Sequence, residues 1–259
     1  MNHPSRFSVT VSVLSGIVHV AALLALFEVL EYTTIDTPIW VGVFSLFAFV
    51  QVAVPVLVSA HTRLLAPAGG VVALFAGVGI AELSTAGAQN LFDMYVMSTI
   101  TGVTVGLVLF AGVVEFVLRR GYALGTGGLR NLPRIPESRR VVIATAAGLV
   151  GVPASVLGFF FGGPGTALIV LFFATAAAAI PLRAVCQGGF VTPLGPFVLI
   201  VPYVLYGHAF YMAEISGMGL LLLGPAALLS VLAWKLERWV RSRNNGWDGT
   251  GFADRNGTR

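Results

Sequence analysis

Few side chains in the apolar stretches of this chain are able to do chemistry, and His19 and Gln51 stand out by position. Each lies near the middle of a long apolar run, and the two runs are consecutive. Because neighbouring antiparallel helices bring their midpoints to a similar depth, the sequence predicts a hydrogen bond between these side chains. In a structural role, such a bond joins two helices and contributes about 1 kcal/mol. In a functional role, the two side chains line a solute path or take up a proton. Since no carboxylate accompanies the histidine, the structural interpretation is favoured over a proton relay.

Hydroxyl groups mark a second stretch, at Ser98, Thr99, Thr101 and Thr104. Hydroxyls this close together in an apolar run either line a pore or hydrogen-bond to the preceding turn of their own helix. The second alternative makes them weak indicators of a pore.

Prolines mark a third stretch, "VTPLGPFVLIVPYVLYGH" at residues 191–208, which contains Pro193, Pro196 and Pro202. Each proline removes a backbone donor, so the segment is predicted to be a kinked or broken helix. Irregular backbone in a membrane is tolerated only inside the protein or beside a cavity, so this helix is expected to face the interior. The candidate polar path therefore consists of His19, Gln51, Thr101, Thr104, Pro196 and Pro202.

Enzyme motifs are not found. No HExxH sequence occurs, no paired aspartates are available to hold magnesium, and Lys235 stands too close to a span end to carry a Schiff base. Cys186 is the single cysteine, which excludes an internal disulfide, and its pairing with His61 as a thiol dyad lacks an orienting third group. No catalytic residue, metal site or cofactor is predicted, and a non-enzymatic function is favoured.

The elements that must position these residues follow from composition. Apolar residues make up 57% of the 259 residues, charged residues 10%, and the mean hydropathy is +0.90. These values predict an all-α, polytopic membrane helix bundle. A helix needs about 20 apolar residues to cross the hydrocarbon core, and eight transmembrane helices are predicted at residues 8–30, 39–60, 64–81, 95–118, 141–161, 166–183, 190–207 and 214–235.

Charge sets the predicted topology. With the N-terminus inside and the eight spans alternating, all 15 basic residues fall on the inner side. The outer connections carry acidic residues: Glu31, Asp36, Glu82, Asp93 and Glu214. If one span were missed, every later connection would change sides and the separation of charges would be lost. The separation therefore supports eight spans and predicts that both termini are cytoplasmic. Tyrosine and tryptophan anchors agree, with Tyr95 among those expected at the outer boundary and Trp234 and Trp239 at the inner one.

A tandem duplication is a further hypothesis. "SGIVHVAALLALF" at residue 15 aligns with "AGLVGVPASVLGF" at residue 147, and Glu115 and Arg119 align with Glu237 and Arg241. The alternative is that the segments align by chance, because Gly, Ala and Val are abundant.

The predicted domains are transmembrane helices 1–4 (1–118), a basic cytoplasmic linker (119–140), transmembrane helices 5–8 (141–238) and a cytoplasmic polar tail (239–259).

Two functions remain open. The first is a small permease for an uncharged or weakly polar solute, suggested by the suspected 4+4 repeat and the prolines. The second is a non-catalytic scaffold or subunit of a membrane complex, in which glycine pairs such as Gly158 and Gly162 pack helices closely. The expected location is a prokaryotic cell membrane. The expected partners are anionic lipid headgroups at the cytoplasmic face and either further copies of this chain or another membrane protein. No nucleic-acid partner is expected.

Overall fold

The computed structural model describes residues 4–29, 37–84, 90–124, 128–132, 135–136, 138–211 and 219–243. Within these ranges the chain forms helices and no strands, which confirms the all-α prediction. Residues 30–36, 85–89 and 212–218, which include parts of the predicted outer connections, lie outside the described residues, as does the polar tail after residue 243.

The helices divide the described chain into eight helical segments, as predicted. The first four segments comprise α1 (Arg6–Val29), α2 (Pro38–Thr62), α3 (Ala66–Ser84), and α4 (Asn90–Ile100) followed by α5 (Val103–Gly121). The last four comprise α6 (Arg139–Ala146), a π-helical turn (Ala147–Gly151), α7 (Val152–Gly188), α8 (Leu194–Tyr211), a 3₁₀ turn (Gly219–Leu222) and α9 (Leu223–Arg243). Helix α7 holds two of the segments, because the backbone turns at Gly163 (φ 71°).

Four helical stretches in the described part of the chain are long and apolar enough to cross a membrane: Arg6–Val29, Pro38–Thr62, Arg139–Gly188 and Gly219–Arg243. Shorter apolar stretches cover Ala66–Ile80 and Leu194–Tyr206. The helices are therefore consistent with a membrane protein.

The chain folds as two compact units. The first contains Met1–Gly112 and Leu129–Leu132, and the second contains Val113–Gly128 and Pro133–Arg259. In the first unit, α2 packs against α1, α3 and α4. Its core includes Leu23, Phe44, Ala48, Tyr95 and Val96, which are all nearly inaccessible to solvent.

The second unit is built on α7, which folds back on itself and packs against α9. Two glycines permit the second part of α7 to approach the helical segment before Gly163 closely. A Cβ on Gly151, in the π-helical turn, would overlap with Thr175 Oγ1, and a Cβ on Gly158 would lie 3.1 Å from Val170. Small residues at such contacts let helix backbones approach closely. The packing role predicted for Gly158 is thus observed.

Of the two alternatives predicted for the seventh segment, a kinked or a broken helix, the structure excludes the break within Leu194–Tyr211. Helix α8 begins after Pro193, and Pro196 lies in its first turn, where the backbone N–H groups have no intrahelical acceptor in any case. Pro202 lies in the helix interior, and the helix continues through it to Tyr211.

An ion pair holds the ends of three helices together in the second unit. Arg241 of α9 pairs with Glu237 and donates to the carbonyl oxygens of Gly188 (3.0 Å) and Gly189 (2.9 Å), at the end of α7. Glu237 accepts hydrogen bonds from the backbone N–H and the hydroxyl of Thr192, just before α8. The α7–α8 turn is therefore fixed by two charged side chains of α9.

The basic linker contributes to both units. In the first unit, the Arg130 N–H donates to the Thr62 carbonyl at 3.2 Å, and Asn131 Nδ2 donates to the His61 carbonyl. In the second, the Tyr122 hydroxyl donates to the Gly189 carbonyl. These bonds satisfy carbonyls at the ends of α2 and α7, where a helix leaves acceptors without intrahelical donors.

The Gly151 contact leads to a stability prediction. Replacing Gly151 with alanine is expected to lower the free energy of unfolding by about 1–2 kcal/mol, because the overlap with Thr175 outweighs the helix propensity gained. The additional change Thr175→Ala should recover most of the loss. Gly148→Ala is the matched control, since a Cβ there meets no atom within 4 Å. Thermal unfolding in detergent, followed by circular dichroism, measures all three variants, and equal losses at Gly148 and Gly151 would contradict the contact.

Candidate functional site

A buried polar network connects α1, α2 and α4 in the first unit. Gln51 Nε2 donates to the Tyr95 hydroxyl at 2.6 Å, and the same hydroxyl lies 3.1 Å from His19 Nε2. His19 is 7% exposed, whereas Gln51 and Tyr95 are each 1% exposed. The two polar residues selected from the sequence are thus joined through a tyrosine hydroxyl instead of directly.

The direction of the second bond depends on the imidazole tautomer. With the proton on Nδ1, the tyrosine hydroxyl accepts from Gln51 and donates to His19 Nε2, so that it acts as both acceptor and donor. With the proton on Nε2, both neighbours donate to the tyrosine oxygen. The network therefore has two proton arrangements that share the same heavy-atom positions.

Apolar and aromatic groups surround the network. The Phe75 ring of α3 meets the His19 ring edge-on, with centroids 4.7 Å apart and planes at 77°. Phe75 also lies 5.7 Å from the Tyr95 ring, and Tyr95 packs in the core with Leu23 and Phe44. An aromatic enclosure of this kind fixes the rings and makes each unmade hydrogen bond more costly.

One amide oxygen of the network has no hydrogen-bond partner among the described residues. Gln51 Oε1 is buried, and no described donor reaches it. An unpaired buried acceptor costs about 1–3 kcal/mol. Gln51 therefore presents an acceptor that a small polar molecule is able to use.

The fourth helical segment is interrupted beside this network. Helix α4 ends at Ile100 and α5 begins at Val103, with Gly102 at φ 75°. The Gly102 N–H donates to the Thr99 carbonyl at 3.1 Å, and the α-helical pattern resumes when the Gly106 N–H donates to the Gly102 carbonyl. Glycine suits this position because a side chain is strained at positive φ. Gly102 therefore forms a turn between two helices.

The hydroxyls near the interruption are buried and bonded within their own segment. Ser98 and Thr99 both donate to the Tyr95 carbonyl, at 2.9 and 2.7 Å, and Thr101 donates to the Met97 carbonyl at 2.8 Å. Thr104 Oγ1 lies 3.0 Å from Ser98 Oγ, which joins α5 to α4 across the interruption. The bonding to the preceding turn is the alternative that the sequence left open for these residues.

The structure places four of the six candidate path residues in the first unit: His19, Gln51, Thr101 and Thr104. His19 and Gln51 share the tyrosine network, whereas Thr101 lies in the interruption and Thr104 lies in the first turn of α5. Pro196 and Pro202 lie in α8 of the second unit, as part of a continuous helix.

Tyr95 is the member of the network that sequence reasoning missed. The sequence indicated it only as an anchor at the outer boundary of the membrane, whereas the structure shows its side chain in the core with its hydroxyl between His19 and Gln51. A signal was present in the spacing, because Ser98 and Thr99 follow at three and four positions and share one helix face with Tyr95.

The side chains of this network form hydrogen bonds without a permanent charge. Tyrosine, glutamine and neutral histidine offer donors and acceptors without a formal charge. Within the described ranges, no three side chains of His, Cys, Asp or Glu are grouped to hold a metal ion. Comparison with known proteins adds no relationship, since no family model, curated protein or solved structure matches the chain.

Proposed function

We propose that the protein is an eight-span integral protein of a prokaryotic cell membrane, and that its first unit conducts a small uncharged or weakly polar solute. Both termini and the linker at residues 119–140 are then cytoplasmic, next to anionic headgroups. The separation of all 15 basic residues from the outer connections supports this topology. The long apolar helices support the insertion.

The polar network lies well inside the membrane in this arrangement. At 1.5 Å per helical residue, His19 is about 20 Å from Arg6 and Gln51 about 18 Å from Arg63. The hydrocarbon core is about 30 Å thick. Polar side chains at that depth are costly unless they bond to one another or to a solute, which is the situation of His19, Tyr95 and Gln51.

The interruption of the helix at Thr101–Gly102 is the observation that carries the proposal. A lipid-exposed interruption would leave backbone polar groups unsatisfied, so irregular backbone at membrane depth is found inside protein or beside a cavity. Discontinuous helices form the binding sites of many transporters. Here the interruption follows the last turn of α4, the helix that carries Tyr95. The partner of Tyr95, Gln51, has a buried acceptor that no described donor reaches.

The scaffold remains the second candidate, and the hydroxyl bonds favour it. Ser98, Thr99 and Thr101 donate to carbonyls of the preceding turn, so those donors are already used. In a scaffold the tyrosine network joins three helices and conducts no solute. A homo-oligomer or a membrane partner then provides the function.

The duplicated architecture is proposed as well. Glu115 pairs with Arg119 at 2.9 Å near the end of α5, and Glu237 pairs with Arg241 near the end of α9. Both pairs have i,i+4 spacing, and the sequence alignment made them equivalent. This supports two four-helix halves, with residues 119–140 connecting them.

Flux measurements test the transport proposal. Purified protein in liposomes should accelerate glycerol or urea entry, measured by stopped-flow light scattering, and should not admit sodium gluconate. Gln51→Leu is expected to reduce the glycerol or urea flux at least tenfold at equal protein density, because the unpaired acceptor is lost. If the protein is a scaffold, liposomes that contain the wild-type protein should admit glycerol or urea no faster than empty liposomes.

Ser230→Ala is the matched control for this experiment. Ser230 is also fully buried, and it donates to the Ala226 carbonyl in α9 of the second unit. Its replacement should leave the flux unchanged. If Gln51→Leu retains wild-type flux while folding normally, the path does not pass Gln51.

A further inference from the structure

A long groove lies on the surface of the second unit, between α6 and the second part of α7. Its volume is about 780 Å³, and its floor is formed by apolar side chains that include Val142, Ile143, Leu171 and Phe172. Trp234 of α9 contributes to the wall. The groove is independent of the proposed solute path, since all its residues belong to the second unit.

Two arginines, Arg139 and Arg183, lie at the same end of this groove. Gly151 faces Thr175 and Gly158 faces Val170, so the helices that carry the arginines run antiparallel. From the Gly151 contact, Arg139 lies about 18 Å and Arg183 about 12 Å along the helix axes in the same direction. The residues that line the groove include these two guanidinium groups and no carboxylate.

This distribution matches the chemistry of an anionic lipid. An apolar groove from Leu168 to Arg183 is about 22 Å long at 1.5 Å per residue, and apolar surface of this kind suits an acyl chain. Guanidinium groups bind phosphate oxygens through paired hydrogen bonds as well as charge. A tryptophan at this level is typical of the membrane interface.

We propose that this groove is a binding site for an anionic phospholipid of the cytoplasmic leaflet, with the phosphate between Arg139 and Arg183. The topology in which both arginines are cytoplasmic underlies the orientation. Basic pockets between transmembrane helices on that side of a membrane suit anionic headgroups. The site gives the anionic headgroups expected at the inner face a specific position on the protein.

A neighbouring groove accommodates the second acyl chain. Its volume is about 540 Å³, its lining is wholly apolar, and it shares Phe172, Ala176 and Ile180 with the first groove. These three residues form a ridge of α7 between the two grooves. A two-chain lipid is able to place one chain on each side of that ridge.

Native mass spectrometry of protein purified in an equal mixture of phosphatidylglycerol and phosphatidylcholine tests the site. The wild-type protein should retain phosphatidylglycerol about tenfold over phosphatidylcholine. Arg139→Gln and Arg183→Gln should each lower this ratio about threefold, and together they should bring it close to one. Arg238→Gln, an exposed inner arginine outside both grooves, is the control and should leave the ratio unchanged.

A groove-filling variant separates a lipid site from simple attraction to basic residues. Ala176→Trp places a bulky ring on the ridge, where it fills part of both grooves, and keeps both arginines. It should therefore reduce the retained phosphatidylglycerol several-fold. Circular dichroism checks the helix content of each variant. Equal retention of the two lipids by the wild-type protein, or unchanged retention by Ala176→Trp, would overturn the proposal, as would a wild-type ratio in the double arginine variant.

Discussion

Replacing Arg241 with alanine is expected to lower the free energy of unfolding by about 3–5 kcal/mol, because the change leaves the buried Glu237 carboxylate without its cation. Glu237 is 7% exposed and Arg241 8% exposed. Arg241 also donates to the Gly188 and Gly189 carbonyls, and its guanidinium lies 4.7 Å from the centre of the Phe190 ring. The variant therefore loses the ion pair, two helix-end bonds and a cation–π contact together.

A less buried pair of the same spacing provides the control. Glu115 and Arg119 have the same i,i+4 spacing and a 2.9 Å contact, but their side chains are 17% and 24% exposed. Arg119→Ala should therefore cost no more than about 1 kcal/mol. The double variant Glu237→Gln/Arg241→Met should recover part of the loss, since no unpaired charge stays buried.

Reversible unfolding in mixed detergent micelles, with increasing sodium dodecyl sulfate, measures the difference between the two arginines. Helix content followed by circular dichroism reports the transition for each variant. Equal destabilisation by Arg119→Ala and Arg241→Ala would show that burial does not distinguish the pairs.

The number and order of the helical segments could be predicted from the sequence because apolar run length is a strong local signal. The turn at Gly163 separates the fifth and sixth predicted segments, as the glycine and proline at residues 163–164 indicate. The i,i+4 pair of Glu115 and Arg119 was also predictable, since it depends on spacing along one helix.

Where helices break was less predictable, because proline acts according to its position. Pro193 and Pro196 precede or occupy the first turn of α8, where a missing N–H has no cost. The interruption of α4–α5 instead occurs at Gly102, a residue that is common in membrane helices and usually continues them. Composition could not reveal that this glycine adopts a positive φ.

The network was foreseen in part. The sequence predicted that His19 and Gln51 lie close together, because residues near the middle of adjacent helices lie at similar depths. Depth did not identify Tyr95, because tyrosines near the end of an apolar run usually mark the membrane boundary. The extension of α4 back to Asn90 moves Tyr95 into the helix, and packing against Phe75 directs it inward.

Tyr95→Phe is the most informative change in the first unit, because it removes one oxygen atom and retains the ring. The loss leaves Gln51 Nε2 without its acceptor and His19 Nε2 without its neighbour, so the free energy of unfolding should fall by about 2–3 kcal/mol. If solute passes this network, glycerol or urea flux should also fall at least tenfold in liposomes that contain equal amounts of folded protein. A scaffold predicts the loss of stability alone.

Tyr203→Phe provides the matched control, since Tyr203 is 67% exposed in α8, and its replacement should change neither stability nor flux. Unchanged stability in Tyr95→Phe would contradict the hydrogen bonds themselves, whereas reduced stability with full flux would assign the network to helix packing and exclude it from the path.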